Sequence, residues 1–79
     1  MPTNAKPFKG LGSGVLEIAL RYATDAYRVI VAIQLGNKIY VLHAFQKKSK
    51  QGIATPQQDI EVIRQRYRQA QEMAKDEQQ

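Results

Sequence analysis

Hydrophobic and polar residues alternate with a period of two from Val15 to Gln46. Three runs rich in branched and aromatic side chains stand out there: VLEIALRY (15–22), YRVIVAIQL (27–35) and KIYVLHAFQ (38–46). Ala23–Ala26 separates the first two, and Gly36-Asn37 separates the last two as a two-residue hairpin turn. Residues 15–46 therefore predict an antiparallel meander. Residues 1–14 hold two prolines and three glycines with no apolar period, which predicts an irregular arm. GLGSG at 10–14 looks like a phosphate-binding glycine loop. Such a loop needs a strand before it and a helix after it, and with no strand predicted ahead it reads as turn chemistry.

Behind the meander, residues 47–54 (KKSKQGIA) form a basic connection, and Thr55-Pro56-Gln57-Gln58 offers a helix start. Thr55 can cap, Pro56 suits the first helical position and Gln58 completes a capping box. Ile60, Ile63, Tyr67, Ala70 and Ala74 then recur at spacings of 3, 4, 3 and 4, flanked by Val62 and Met73. That is an amphipathic helix over 55–76, fraying in KDEQQ. The expected fold is α+β: one domain over 1–79, a three-stranded antiparallel meander packed on one C-terminal α-helix.

Hairpin arithmetic assigns faces. A turn at Gly36-Asn37 sets Ile30 opposite His43 and Arg28 opposite Phe45; a symmetric loop at Ala23–Ala26 sets Tyr22 opposite Tyr27 and Arg21 opposite Arg28. One face then carries Leu16, Ile18, Leu20, Tyr22, Tyr27, Val29, Val31, Ile33, Tyr40, Leu42 and Ala44, and is expected to meet the Ile60/Ile63/Tyr67 stripe of the helix. The other carries Glu17, Ala19, Arg21, Arg28, Ile30, Ala32, Val41, His43 and Phe45. Directly opposed arginines are unfavourable by tenths of a kcal/mol up to about 1. An anion between them relieves this; the plainer alternative is that Glu17 neutralises one of them diagonally.

Charge sharpens the picture. Twelve Lys and Arg against seven Asp and Glu give +5. Up to residue 55 there are eight basic and two acidic residues, and from 56 onward four basic and five acidic, so the positive charge belongs to the front of the chain. A localised basic surface suits a polyanion or an acidic protein, or simply solubilises. Cysteine is absent, which excludes disulfides and thiolate metal sites. No apolar run approaches the roughly 20 residues of a membrane span, and the first fourteen residues lack the apolar core of a signal peptide. A soluble, cytoplasmic protein without membrane contact is expected.

One histidine and no acidic cluster of ligand spacing exclude a metal site, and Ser13 and Ser49 stand in glycine-flanked segments that suit no hydrolase triad. No cofactor is implied. What remains is a set of Arg, Lys, His and aromatic side chains, which suits RNA cleavage by attack of a 2′-hydroxyl on its own phosphate. Arginine forks stabilise the phosphorane, and a flat ring holds an unstacked base. His43 is the formal choice for proton transfer, or equally a hydrogen-bonded core residue. Phe45 either packs or stacks on a base, Lys47 and Lys48 either bind phosphate or form a solvated loop, and Tyr67 belongs to the core.

KPFKGLGSGVLEIALRYATDAYRV, followed by IYVLHAFQKKSKQGIATPQQDIEVIRQR, closely resembles the phage-related HigB-like branch of the RelE/ParE toxin superfamily. The most specific stretch is HAFQKKSKQGIATP, residues 43–56, with KGLGSGVLEI and AYRV as two further blocks in the right order. The resemblance implies a RelE-like fold and membership of a type II toxin–antitoxin pair. Most such toxins cleave mRNA, usually at the ribosome, and are silenced by a helix-turn-helix antitoxin. By motif match Arg28 is the transition-state arginine, and Lys47, Lys48 and Lys50 lie in the basic block that contacts phosphate. Lys9 and Arg21 match basic positions of the earlier blocks. The resemblance implies a metal-independent endoribonuclease, of a family whose members often do their acid–base work with Lys, Arg or Tyr. Taken with the residue reading above, it puts Arg28, Arg21, His43 and Lys47 at the reaction and Lys9, Phe45, Lys48 and Lys50 on RNA.

Members of that branch carry a longer N-terminal region, with a helical hairpin ahead of the Lys-Pro-x-Lys-Gly block; here MPTNA precedes it. A meander with uncovered apolar surface is expected to associate, and a homodimer through the helix stripe or an edge strand follows. Two other functions share the fold: a gyrase inhibitor of the ParE kind, and a degenerate member that binds RNA or antitoxin without turnover.

Overall fold

The computed structural model describes residues 4–12, 14–47 and 55–77. They form β1 (Asn4–Pro7), β2 (Val15–Tyr22), β3 (Asp25–Leu35), β4 (Lys38–Lys47) and α1 (Gln57–Glu77). The four strands make one antiparallel sheet in the order β1-β2-β3-β4. Among the described residues no helix is long and apolar enough to cross a membrane.

The sheet has one strand more than expected, inside the segment predicted to be an irregular arm. NAKP is too short for a visible alternation and ends in proline, which an edge strand tolerates because its outer side needs no donor. It pairs along β2 from Asn4 opposite Ala19 to Pro7 opposite Leu16. The Phe8 N–H then donates to the Val15 carbonyl at 2.9 Å, and the Phe8 ring is buried. Gly10 (φ 99°) and Gly12 (φ 89°) turn the chain back. A strand does precede GLGSG, contrary to expectation. A second strand follows it, so the turn reading holds for a different reason.

The β2–β3 turn is tighter than expected. Tyr22 pairs with Asp25, leaving a two-residue turn at Ala23-Thr24 with Ala23 at φ 56°. Two-residue hairpins favour positive φ in the turn because it matches strand twist, and without a glycine to mark it the turn read as a longer loop. The register slides by two residues: Arg21 stands opposite Ala26, and Arg28 opposite Ala19. The two arginines share a face, as expected, but are not directly opposed. A left-handed alanine costs roughly 1–2 kcal/mol, partly offset by the greater chain entropy of glycine. Ala23→Gly is therefore expected to stabilise the fold by about 0.5–1 kcal/mol, read as a higher urea midpoint; an unchanged or lower midpoint would refute the strained turn.

The second hairpin closes at Gly36 (φ 67°) with Leu35 opposite Lys38, and Arg28–Phe45 and Ile30–His43 pair as expected. Then the register shifts: Val31 pairs with Val41, so Leu42 is an extra residue in β4. This bulge breaks the alternation. Tyr40 joins the Arg28 face opposite Ala32, buried Leu42 lies there too, and Val41 passes to the opposite face.

The helix packs on the other side of the sheet from the one expected. Its contacts are to β4 and β3, and the core cluster joins Ile63 and Ala70 of α1 to Phe8, Val15, Ile30 and Leu42. These sheet residues lie on the Arg28 face. Two features account for the choice: Ala32 leaves room for a helix to approach, and the bulge adds Leu42 to Tyr40, Ile30 and Val15 as an apolar floor. The helix stripe itself is as expected, with Ile63, Ala70 and Ala74 buried and Ile60 and Tyr67 packed beside them. It is spent within the protomer, which removes it as a dimer contact. Pro56, one residue beyond the expected cap, accepts the first helical bond from the Ile60 N–H at 3.0 Å.

The face expected to be covered carries no described helix, although Val31 at its centre is buried. Tyr22 is 77 % exposed, Ile39 69 %, Val41 67 %, Leu20 49 % and Ile33 38 %.

Candidate nucleic-acid interface

The helix covers one end of the Arg28 face. At the other end stand two cross-strand rows, in which Phe45 packs partly buried against the core cluster. Ala19, Arg28 and Phe45 stand side by side on β2, β3 and β4; one row outward stand Arg21, Ala26 and the register position of Lys47. Adjacent strands lie about 4.8 Å apart, so two alanines form a low floor among the cationic positions. Arg21 is exposed and Arg28 half-buried.

Arg28 is held in place. Its Nε donates to Glu17 Oε2 at 3.1 Å, and Nη1 donates to the Tyr27 carbonyl at 3.3 Å. Glu17 lies diagonally across the strands from Arg28, so the plainer alternative of the sequence holds for this arginine. The pair is not sealed off. Beside Glu17 opens a cleft of about 430 Å³ between β1 and the start of α1, lined by Lys6, Phe8, Lys9, Thr55 and Ile60.

His43 is engaged at both nitrogens. Nε2 lies 2.8 Å from Asp59 Oδ1 in the first turn of α1, and Nδ1 lies 3.4 Å from Arg66 Nη1. Arg66 presents only donors, which assigns the Nε2–H tautomer: Nε2 donates to Asp59, and Nδ1 faces the guanidinium. The ring stacks on Phe45 at 5.4 Å between centroids and 23° between planes. Arg66 also donates to the Leu42 carbonyl at 3.0 Å. A bulge disrupts the ladder at the extra residue, and Arg66 supplies the partner there. Arg66→Met is expected to cost about 1–2 kcal/mol, because it strips a charge-assisted bond from a partly buried carbonyl. Urea unfolding of the variant checks this, and an unaltered midpoint would show the carbonyl satisfied by water.

A family model described as Phage derived protein Gp49-like (DUF891) matches residues 1–68. The chain belongs to this Gp49-like family. The family is of RelE-like toxin type. No curated protein and no solved structure matches the chain.

In this Gp49-like chain, Arg21, Arg28, His43 and Phe45 share one sheet face, as the sequence predicted. Lys9 stands apart, exposed in the turn after β1, and reaches the group only through the cleft beside Glu17. Lys47 ends β4, while Lys48 and Lys50 lie outside the described residues. Among the described residues no cluster of three His, Cys, Asp or Glu side chains is placed to hold a metal. Sequence reasoning passed over Asp59 and Arg66. Seven residues apart, they fall on one side of a helix, beside the apolar stripe, and that spacing was the available signal.

Proposed function

We propose that this chain is the toxin of a type II toxin–antitoxin pair, a metal-independent endoribonuclease that cuts mRNA at the ribosome. The observation that carries the reading is the cationic end of the sheet, where Arg21 and Arg28 flank alanines on the same face that carries the helix at its other end. A phosphate resting there meets two guanidinium groups, one of them held by Glu17 and the Tyr27 carbonyl. Such forks stabilise the charge that builds on phosphorus when the neighbouring 2′-hydroxyl attacks. Lys47, Lys48 and Lys50 follow in the chain and steer the backbone, Lys9 adds a contact across the cleft, and Phe45 offers its edge to a base. The partners of this reading are mRNA, the ribosome and a helix-turn-helix antitoxin, and its compartment is the cytoplasm. His43 serves as a positioning residue that fixes Phe45 and joins β4 to α1, since both of its nitrogens are occupied.

A second reading is favoured by that same occupancy and by the Arg28–Glu17 pair: a member that binds RNA or antitoxin without turnover. A gyrase inhibitor of the ParE kind is the third. Translating ribosomes with mapped mRNA 5′ ends separate them. New ends with the wild-type chain, lost in Arg28→Ala, support the ribonuclease. RNA retention without new ends supports the second reading, and gyrase arrest without cleavage the third.

A further inference from the structure

We propose that the face of the sheet opposite α1 seats a second copy of this chain, the two sheets stacking face to face. The proposal does not rest on the ribonuclease reading. Its first support is charge. Among the described residues, this face presents no ionised side chain between the two β-hairpin turns, and Asp25, paired with Tyr22 beside the corner turn, is the one at its margin. A chain of net charge +5 repels its copy over most of its surface. Here the arginines stand on the far face and on α1, so two copies bring apolar side chains together without opposing cations. The second support is extent. Strands of 4, 8, 11 and 10 residues, about 4.8 Å apart and rising about 3.3 Å per residue, make a sheet of roughly 500 Å², before side-chain relief is counted. A standard interface takes about 800 Å² per partner and a small one about 600 Å², which this face reaches once the relief of its branched and aromatic side chains is added. Third, Leu20 and Tyr22 at one end of this face and Ile33, Ile39 and Val41 at the other are all more than a third exposed, with the half-buried apolar Ile18, Tyr27 and Val29 between them, the kind of surface that marks association. Stacked antiparallel sheets lie about 10 Å apart with their strands near −30°, and the pleated rows of branched side chains fit that spacing.

Sedimentation equilibrium of the full chain from micromolar to near-millimolar concentration tests it. The wild-type mass is expected to rise from 9.0 kDa toward twice that value. Leu20→Lys and Val41→Lys are each expected to hold the chain at the monomer mass with unchanged far-ultraviolet dichroism. Gln71→Lys, on the exposed side of α1, is expected to leave the dimer weakened less than threefold. If either lysine variant loses its dichroism, Val41→Thr gives the same reading with a strand-compatible side chain. A wild-type chain that stays monomeric overturns the proposal and leaves the face to a different protein. A dimer that survives both lysine variants overturns it in favour of an edge contact, and one broken equally by Gln71→Lys overturns it as unspecific.

Discussion

Ile63→Ala is expected to remove so much stability that a large share of the molecules unfolds at 37 °C. Ile63 is fully buried at the centre of the α1 stripe, in the same cluster as Ile30 and Leu42. Truncating such a side chain costs about 2–5 kcal/mol, through lost transfer energy and the cavity left behind. At 0.05–0.15 kcal/mol per residue, a chain of 79 residues has only about 4–12 kcal/mol in hand. Leu20→Ala is the contrast: equally apolar but half-exposed on the face opposite α1, it is expected to cost under about 1 kcal/mol in dilute solution. Urea titrations of the two variants side by side decide which face is the core. Equal shifts, or a larger one for Leu20→Ala, would mean that the helix packs on the opposite face.

Arg28→Ala is expected to lower mRNA cleavage by about 10²–10³-fold, the usual loss when one preoriented donor to a transition-state anion is removed. The guanidinium is 20 % exposed, and its Nε is tied to a Glu17 carboxylate that is 14 % exposed. Removing it leaves Glu17 beside the cleft without its cation, so the variant's dichroism must match the wild type before rates are compared. Glu17→Gln sharpens the test. The amide still accepts from Nε but carries no charge, so an arginine that Glu17 merely neutralises gains affinity for phosphate in this variant. An arginine that Glu17 orients loses roughly tenfold in rate while RNA binding holds. Cleavage untouched by Arg28→Ala would leave the cationic end of the sheet without a catalytic part.

Much of this architecture was legible in the chain, and the misses have a common cause. The three long strands, the turn at Gly36-Asn37 and the helix stripe each follow from local periodicity, which survives folding unchanged. The short strand Asn4–Pro7 exists only because β2 offers it an edge, and no pattern in NAKP announces that. Ala23-Thr24 makes a tight turn without the glycine that would have marked it. The bulge at Leu42 had no marker at all. Moving Tyr40 and Leu42 beneath the helix and Val41 away from it, it made the less uniformly apolar face the better floor. The face shared by Arg21 and Arg28 was read correctly because a slide of two residues preserves parity. The Asp59–His43–Arg66 link was beyond reach of hairpin arithmetic, since it depends on where a helix lands.

The ends of the sheet bear on how the protein behaves when crowded. Among the described residues β1 offers four positions and finishes in Pro7, while β4 is kinked by its extra residue. Neither border is a good template for another strand, so growth in the hydrogen-bonding direction, the route to filaments, is blunted on both sides. A pair stacked through the apolar face, as proposed above, would thereby stay a closed, finite particle rather than seed an open-ended aggregate.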